Sequence, residues 1–355
     1  MTHTQNRLAE VRRIMKSQKL PALLVSQDQN RRYLSGFTGS AGLLLITPQQ
    51  AILATDFRYW TQAAQQAPDF TVYQAKGRPP DFLPGLIEAA GSPRRSGLES
   101  GTITLAQFEV MKTALPKVKW VKTHDLIEQL RWVKDADEIA QTRRAIDLAE
   151  AAFAEVTARL EPGMTEAHIA WELEVHIRTH GATGLAFDTI VASGPNAALP
   201  HYGVGQRAIR AGEPITIDWG AELDGYRSDL TRTIVLGQAD AKFREVYDIV
   251  LKAQLNAINH IKANINGKEA DAFARDIIVA AGYGEQFGHG LGHGVGLATH
   301  EGPRASWLAE EDRLPVGTLI TVEPGIYIPE WGGVRIEDMI VVKEDGVEVL
   351  SHLPK

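Results

Sequence analysis

The chain has 355 residues, 44% of them hydrophobic and 23% charged, which is the composition of a globular protein with two or three domains. Its net charge of −7 gives no attraction to nucleic acid or anionic membranes, and the absence of cysteine excludes disulfides, thiolate catalysis and cysteine-ligated metals. Because the amino-terminal segment lacks the apolar core of a signal peptide and no apolar run could span a bilayer, the sequence predicts a cytoplasmic protein.

The first third of the chain alternates strand-like and helix-like segments. Apolar runs predict strands at "PALLVS", "AGLLLIT", "AILATD" and "VKWVK". Helical spacing of apolar residues predicts helices at "RYWTQAAQQA", "TLAQFEVMKTAL" and "HDLIEQLRWV". The stretches "KGRPP" and "GSPRRSG" are interpreted as loops because they are rich in glycine and proline. The order of these segments predicts an α/β domain.

A domain boundary is predicted near "VKDADE", where Asp135 and Glu138 have the spacing of a helix-capping box. Apolar residues at helical spacing predict a long amphipathic helix from there to "EPG" at 161–163. Thr165 can cap the next helix, which Gly181 ends. The sequence therefore predicts two domains, residues 1–132 and residues 133–355.

The second domain carries an internal duplication. Residues 215–220 read "ITIDWG" and residues 320–325 read "ITVEPG", and a helical stretch and a glycine precede each copy. An Arg-x-acid triplet follows each copy, "RSD" at 227–229 and "RIE" at 335–337. Repetition on this scale indicates a duplicated folding unit rather than a short solenoid repeat. Four acids occupy the matching positions: Asp218, Asp229, Glu323 and Glu337.

The first pair of acids is expected to lie on one side of a hairpin. Asp224-Gly225 between two strand-like runs predicts a two-residue hairpin turn. The register set by this turn places Asp218 opposite Thr231, with Asp229 two residues along the same side of the ladder. Side chains that are diagonal neighbours on one face of a ladder can bring their carboxylates together.

The second pair extends this cluster if the two halves pack against each other. Arg335 and Glu337 face the same side of their strand, because side chains alternate along a strand. Two like charges about 4 Å apart repel by about 4 kcal/mol at an effective dielectric near 20, so four gathered carboxylates require cations. Two divalent ions would balance the four charges, which predicts a dinuclear metal site.

A glycine-rich segment, "FGHGLGHGVGLATHEGP", lies between the two copies. It does not match the dinucleotide-binding fingerprint G-x-G-x-x-G, and Lys268 lacks the sequence context of a phosphate-binding P-loop. His289, His293 and His300 lie in this segment. The residues alone predict that at least one of these histidines binds metal and leave open which one.

Two other catalytic patterns are incomplete. His176 and His180 have the i, i+4 spacing that can bind zinc, but "HIRTH" lacks the glutamate of H-E-x-x-H, which favours a solvated helix face. Serine catalysis on a nucleophile elbow requires G-x-S-x-G, and "VASGPN" lacks the glycine before the serine.

The motifs "IDWGAELDGYRSDLTRT", "GHGLGHGVGLATHE", "TVEPGIY" and "GGVRIED" together resemble the pita-bread metallopeptidases. The similarity is to the branch of Xaa-Pro aminopeptidases (aminopeptidase P) and Xaa-Pro dipeptidases (prolidases). The segments "YLSGFTGSAGLLLIT" and "TDFRYWTQA" resemble the creatinase-type amino-terminal domain of that family. The resemblance implies an α/β creatinase-like amino-terminal domain and an α+β pita-bread catalytic domain with pseudo-twofold internal duplication.

The resemblance also implies a set of metal ligands. It assigns the ligands of two divalent ions to Asp218, Asp229, His293, Glu323 and Glu337. In the family, the equivalents of Asp229 and Glu337 bridge both ions. Asp218 would bind one ion, and His293 and Glu323 would bind the other. An oxygen-rich set with one imidazole suits manganese, cobalt or zinc, and manganese is the family's usual metal.

Four further residues receive roles from the same resemblance. His201 and His300 match histidines that contact the substrate and stabilise the tetrahedral centre. Arg335 matches an arginine that supports the site, and Tyr327 matches a wall of the proline pocket. The implied reaction is metal-assisted hydrolysis of the bond before proline, in which Glu323 takes the proton of the attacking water and passes it to the prolyl nitrogen.

The segments "TDFRYWTQA" and "GFTGSAG" are more similar to bacterial aminopeptidase P than to prolidase, which favours a Xaa-Pro aminopeptidase. A Xaa-Pro dipeptidase is the alternative. A non-catalytic pita-bread binding protein is a remote alternative, because such relatives lose metal ligands and this chain keeps all five. The expected partners are proline-containing peptides and a second copy of the chain in a homodimer, with no nucleic acid and no membrane.

Overall fold

The computed structural model describes residues 2–355, which divide after Arg131 into two units. The strands of the first unit are β1 (Leu23–Val25), β2 (Leu43–Ile46), β3 (Ala51–Thr55), β4 (Thr71–Gln74), β5 (Arg95–Glu99) and β6 (Lys119–Thr123). The helices that begin before the division are α1 (His3–Ser17), α2 (Asp28–Ser35), α3 (Trp60–Gln66), α4 (Pro79–Ala89), α5 (Leu105–Ala114) and α6 (Glu128–Trp132).

The six strands form one mixed sheet in the order β4-β3-β2-β1-β5-β6. β1 pairs in parallel with β5, and β5 with β6, as expected for strands joined through helices. Leu24 and Leu45 from this sheet pack with Leu86 of α4 in the core of the unit. The α/β prediction for the first third is confirmed, including its four strands and three helices.

Both predicted loops of the first unit are partly wrong. "KGRPP" supplies the first two residues of α4, because proline is tolerated in the first turn of a helix. "GSPRRSG" runs into β5, an interior strand of the sheet. Gly97 lies within β5, where a Cβ atom would come 2.9 Å from Leu23 Cδ1 and 3.1 Å from Leu20 Cδ1. The glycine therefore serves a close packing contact rather than a turn.

The second unit, Trp132–Lys355, contains the remaining elements. Its helices are α7 (Ala136–Thr157), α8 (Glu166–Thr179), α9 (Ala241–His260) and α10 (Gly267–Ala280). The strands of its first half are β7 (Gly184–Leu185), β8 (Ile190–Ser193), β9 (Pro214–Trp219), β10 (Ala221–Leu223), β11 (Tyr226–Arg227) and β12 (Leu230–Val235). Those of its second half are β13 (Gly292–Gly294), β14 (Glu301–Ala305), β15 (Leu319–Val322), β16 (Gly325–Ile328), β17 (Gly332–Arg335), β18 (Asp338–Lys343) and β19 (Gly346–Val349).

Each half of this unit consists of a helix pair followed by an antiparallel sheet. α7 and α8 precede the sheet β12-β9-β8, and α9 and α10 precede the sheet β14-β13-β15-β18-β19. The first repeated hexapeptide lies mostly in β9 and the second begins in β15, and these are the central strands of the two sheets. In both triplets the arginine ends one strand, and Asp229 and Glu337 directly precede the next. The predicted duplication of a folding unit is confirmed.

The predicted helix caps and hairpin register also hold. Asp135 Oδ1 accepts from the Glu138 N–H at 2.9 Å, and Glu138 Oε2 accepts from the Asp135 N–H at 3.0 Å, which completes the capping box at the start of α7. Leu223 pairs with Tyr226 across the Asp-Gly turn. Asp218 faces Thr231 in the ladder between β9 and β12.

The core of the second unit has two clusters of buried apolar residues, one for each helix pair. Trp219 of β9 stacks on Phe153 of α7 with ring centroids 4.5 Å apart, and its indole N–H donates to the Ala149 carbonyl at 2.8 Å. In the second cluster, Ile320 of β15 packs with Val250 of α9. The two central strands are thus fixed by helices on their outer faces. Within residues 2–355, every helix is too short or too polar to cross a membrane.

Candidate active site

Acids from both halves of the second unit meet beside one histidine. Asp218 lies in β9, Asp229 directly precedes β12, and Glu337 directly precedes β18. Ligand atoms of these three residues lie within 4.8 Å of one another. The fourth acid, Glu323, follows β15, and its Oε1 lies 3.4 Å from Nε2 of His293. All five residues line one cavity of about 490 Å³.

His293 is oriented to offer one ring nitrogen to this cluster. Its Nδ1 lies 3.0 Å from the Gly294 carbonyl oxygen, which can only accept, so Nδ1 carries the proton. Nε2 therefore presents its lone pair towards the acids, 3.6 Å from Asp229 Oδ2 and 3.4 Å from Glu323 Oε1. Burial lowers the pKa of His293, which favours the neutral ring that a metal requires.

Two threonines that the sequence reasoning missed hold the acids in place. Thr231 Oγ1 donates to Glu337 Oε2 at 2.6 Å, and Thr321 Oγ1 donates to Glu323 Oε1 at 3.0 Å. Thr321 Oγ1 also accepts from the His293 N–H at 3.1 Å. Position in the ladder could have identified Thr231, since the predicted register already placed it opposite Asp218.

The carboxyls resist ionisation in the absence of a cation. Burial, followed by repulsion from Asp218 and Glu323, raises the pKa of Asp229 well above its ordinary value. Burial, followed by the charges of Asp229 and Glu323, does the same to the pKa of Glu337. Burial raises the pKa of Glu323 to about 7, although Arg335 acts in the opposite direction. A bound cation would favour the ionised form of each carboxyl and lower these pKa values.

The donor set fits a divalent ion. Nη2 of the buried Arg335 donates to Asp218 Oδ2 at 2.6 Å. The other oxygen, Asp218 Oδ1, is buried without a hydrogen-bond partner, which is costly unless something else binds it. A buried, unpaired carboxylate oxygen among further acids and one imidazole nitrogen is the environment that a hard or borderline divalent cation requires.

Two histidines complete the cavity wall. His201, from the segment after β8, and His300, before β14, both line the cavity. The His300 ring lies 4.2 Å from that of His293, centroid to centroid. Burial, followed by the neighbouring His293 and His201, lowers the pKa of His300 to about 4. His300 is therefore neutral at physiological pH, and a neutral imidazole can still donate one N–H.

Tyr327 lies behind the cavity surface rather than on it. It is 8% exposed, and its hydroxyl accepts from Arg335 Nη1 at 2.9 Å and lies 2.8 Å from His289 Nε2. Both of those partners line the cavity. Burial raises the pKa of Tyr327 to about 12, so the hydroxyl keeps its proton and can donate it to His289. Apolar wall is supplied instead by Phe187, Ile190 and Pro200.

The geometry distinguishes the histidines that the sequence left open. Both ring nitrogens of His289 are engaged, Nδ1 with the Gly290 carbonyl and Nε2 with Tyr327. His176 and His180 stack on each other with ring centroids 3.9 Å apart and do not line the cavity. Nδ1 of His176 lies 3.1 Å from Glu155 Oε2 of α7, and His176 is buried, so the expected solvated helix face is correct for His180 and wrong for His176.

Comparisons with known proteins agree with these features. A family model described as metallopeptidase family M24 matches residues 140–344, and one described as the creatinase/prolidase N-terminal domain matches residues 7–133. A Xaa-Pro dipeptidase of Pyrococcus horikoshii is 36% identical, with coverage of 95% of this chain and 94% of the relative.

Two solved structures are similar over nearly the whole chain. A Xaa-Pro dipeptidase from Bacillus anthracis superposes with a TM-score of 0.96 at 40% identity, covering 99% of this chain and 98% of that one. An X-Pro aminopeptidase from Thermotoga maritima superposes with a TM-score of 0.89 at 40% identity, covering 96% of this chain and 98% of that one. The named activities of these relatives include both dipeptidase and aminopeptidase.

Proposed function

Because the chain belongs to metallopeptidase family M24 and carries a creatinase/prolidase amino-terminal domain, we propose that it hydrolyses the peptide bond that precedes proline. Membership makes it a metallopeptidase of the Xaa-Pro group. The finer proposal is a Xaa-Pro aminopeptidase, which releases the amino-terminal residue of a longer peptide. The convergence of Asp218, Asp229 and Glu337 with His293 and Glu323 around one cavity carries the proposed hydrolysis. The preference for an aminopeptidase rests on the resemblance of the amino-terminal segments "TDFRYWTQA" and "GFTGSAG".

Two divalent ions are proposed to bind this cluster, and Asp229 and Glu337, both buried, would serve as ligands of both ions, as the family resemblance implies. Asp218 would hold one ion through its unpaired Oδ1, and His293 and Glu323 would hold the other. Mostly oxygen donors with a single imidazole favour manganese, with cobalt or zinc as alternatives. When bound, such ions supply Lewis acidity that activates water and polarises the scissile carbonyl.

The protein residues around the cavity are proposed to handle protons and charge. Oε1 of Glu323 accepts a hydrogen bond from Thr321, which leaves Oε2 to take a proton from the attacking water and pass it to the prolyl nitrogen as the peptide bond breaks. His300 is neutral and can donate an N–H to the oxygen that gains charge during attack. His201 stands on the cavity wall as a second donor. Arg335 fixes the orientation of Asp218 through its 2.6 Å contact.

The apolar part of the cavity offers room for a proline ring. Phe187, Ile190 and Pro200 line the same cavity as His201. We propose that Tyr327 contributes to substrate binding from behind this surface, because its hydroxyl orients both Arg335 and His289. The bond before proline has no N–H to hydrogen-bond, so recognition has to rely on the shape of the ring.

A dipeptidase is the second candidate, and Arg304 favours it. Arg304 lines the cavity, and its side chain is 60% exposed while its Nε lies 3.2 Å from Asp312. A guanidinium on the cavity wall can bind the carboxylate of a Xaa-Pro dipeptide. In a longer peptide an uncharged amide replaces that carboxylate, and an amide binds more weakly than a carboxylate to the guanidinium of Arg304.

The proposal is tested by assaying the purified protein on Xaa-Pro dipeptides, Xaa-Pro-Xaa tripeptides and matched peptides with alanine in place of proline. We expect hydrolysis of the Xaa-Pro bond, loss of activity after chelation, and recovery with manganese above cobalt or zinc. Folded protein that cleaves no Xaa-Pro peptide with any of these metals would favour the non-catalytic alternative. The homodimer implied by the resemblance stays a prediction, which sedimentation of the purified chain measures.

A further inference from the structure

Glu166, the first residue of α8, has a buried carboxylate surrounded by donors from a different segment. Oε1 accepts from the Ser193 N–H and the Ser193 hydroxyl, both at 2.7 Å. Asn196 Nδ2 donates to both carboxylate oxygens, at 3.0 and 3.1 Å. The Tyr202 hydroxyl donates to Oε2 at 3.0 Å. A carboxylate so fully hydrogen-bonded inside a protein is a strong and directional contact.

These donors lie on both sides of His201 in the chain. Ser193 and Asn196 precede it, and Tyr202 follows it directly. Asn196 Nδ2 also contacts the Tyr202 hydroxyl at 2.9 Å, which links the two sides to each other. The backbone of α8 adds a further contact, because the Ala167 N–H donates to the Gly205 carbonyl at 3.0 Å. The segment that carries His201 therefore forms a loop whose residues on both sides of His201 are hydrogen-bonded to the Glu166 carboxylate.

The packing around this loop leaves little freedom. A Cβ atom at Gly205 would lie 2.5 Å from the Tyr202 hydroxyl oxygen, so glycine is required for the phenol to reach Glu166. Burial, followed by the hydrogen bond to Glu166, raises the pKa of Tyr202, which keeps the phenol protonated as a donor. Arg207 donates to the Ser193 hydroxyl at 2.5 Å and pairs with Glu213, which extends the network away from the cavity.

We infer that Glu166 is a positioning residue that acts through His201. It holds the segment 193–202 in one conformation and so sets where the His201 ring stands on the cavity wall. The inference rests on the proposed hydrolysis of Xaa-Pro peptides. Glu166 is not on the cavity wall and does not contact the acids of the cluster, so its effect on the reaction passes through the segment that it binds.

Two substitutions test this role, one that alters the carboxylate itself and one that removes a single hydrogen bond to it. Glu166→Gln keeps the size of the side chain but replaces one acceptor oxygen with an NH2 group. That group would face the N–H and O–H donors of Ser193, Asn196 and Tyr202. Tyr202→Phe removes a single hydrogen bond and leaves the carboxylate with its other donors. We expect kcat to fall by about 10- to 100-fold in Glu166→Gln and by less in Tyr202→Phe, because small displacements of a catalytic group are costly. Bound metal per chain should stay at the wild-type value.

Matched controls separate this effect from general destabilisation. Glu161→Gln changes an exposed glutamate five residues earlier in the chain. Tyr283→Phe removes another hydrogen bond from a tyrosine to a glutamate, the 3.1 Å contact with Glu245. Both control variants should keep wild-type kcat. All assays are run well below the melting temperature of each variant, so that the folded fraction does not differ.

The decisive measurement is a double-mutant cycle with His201→Ala. If Glu166 acts through His201, adding Glu166→Gln to the His201→Ala variant changes kcat by less than about twofold. Additive losses of kcat would overturn the inference, as would a Glu166→Gln variant with wild-type kcat. Hydrogen exchange supplies a readout that is independent of activity: exchange across residues 193–202 should speed up in Glu166→Gln while β9 and β15 stay unchanged.

Failure of the inference and failure of the proposed function give different results. A wild-type protein that cleaves no Xaa-Pro peptide overturns the proposed function, and hydrogen exchange then decides whether Glu166 orders the segment. An active wild type with unchanged exchange in Glu166→Gln overturns the positioning role alone.

Discussion

The hydroxyl of Thr231 donates a 2.6 Å hydrogen bond to the carboxylate of Glu337. Thr231 belongs to a strand of the first half of the catalytic domain, and Glu337 belongs to the second half. The same two residues also form a backbone hydrogen bond, in which the Glu337 N–H donates to the Thr231 carbonyl at 3.1 Å. The two halves of the duplication are thus joined at the buried centre of the acidic cluster. We therefore expect a substitution at this contact to alter metal binding.

Thr231→Val tests this contact by replacing the hydroxyl with a methyl group of similar size. Glu337 Oε2 and Arg335 Nε both lose a partner, since Arg335 Nε lies 3.1 Å from the same hydroxyl. We expect metal affinity to fall by about 10- to 100-fold, as is typical when a residue that orients a ligand is lost. Titration of the metal-free protein with manganese measures it. Thr142→Val, a buried threonine of α7, is the control and should leave affinity unchanged.

Asp229→Asn should abolish hydrolysis while the fold is retained. Asp229 is 5% exposed and contributes to the central group of three acids, so losing its charge removes a proposed shared ligand. We expect kcat/KM to fall by at least about 100-fold, more than for a residue that only orients a ligand. Asp224→Asn is the control, because Asp224 has a φ of 48° in the hairpin turn and asparagine tolerates that conformation. Near-normal turnover by Asp229→Asn would contradict the role.

The stability of the metal-free protein should depend on pH in a defined direction. The pKa values of Asp229, Glu323 and Glu337 are raised in the folded chain, that of Glu323 to about 7. A carboxyl whose folded pKa is above its unfolded value stabilises the fold only while it is protonated. This contribution is complete below about pH 4, the ordinary pKa of such groups, and is lost as the pH rises through the folded value.

Thermal unfolding of the chelated protein measures this dependence. Burial lowers the pKa of His293 and His300, so these histidines act in the opposite direction below about pH 6.5. The carboxyl contribution is therefore isolated by comparing the wild type with a variant at about pH 5.5 and about pH 8, and added manganese should raise the melting temperature at the higher pH. Glu337→Gln removes one of the raised carboxyls and should reduce the difference between the two pH values. A Glu337→Gln variant whose melting temperature changes between the two pH values by the same amount as that of the wild type would contradict the account of the cluster.

Arg304→Ala separates the two substrate classes. If Arg304 binds the carboxylate of a dipeptide, its loss should raise KM for Xaa-Pro by about 10-fold or more and change KM for Xaa-Pro-Xaa much less. Steady-state kinetics on both peptides measures the ratio. Arg210→Ala, an exposed arginine that does not line the cavity, should change neither value. Equal KM changes for both peptides would remove the support that Arg304 lends to the dipeptidase.

The ladder between β9 and β12 was predictable because local chemistry determines it. An Asp-Gly pair between two alternating runs sets the turn, and the turn sets which residues face each other. Asp218 accordingly stands opposite Thr231 as predicted. The position of Asp229 followed from the same register. Convergence with the second half required the further assumption that the two halves pack together, which composition and periodicity could not supply.

Other features depend on contacts that are distant in the chain. The sequence offered three histidines in one glycine-rich segment, and only the contacts of each ring show that His293 directs Nε2 at the acids while His289 binds Tyr327. The sequence predicts a loop at the glycine of β5 because the stretch is rich in glycine and proline, and it gives no sign of the packing partners, Leu20 and Leu23, which lie more than seventy residues away. Glu166 carried no signal in the sequence beyond its position at a helix start.

The central claim is that acids from both halves of the duplication bind a pair of divalent ions. Crystals grown with manganese and measured near the manganese absorption edge would test it most directly. The account predicts two anomalous peaks per chain, both within ligand distance of Asp229 and Glu337, and one of them beside His293. Anomalous density located elsewhere, with none among these carboxylates, would contradict it.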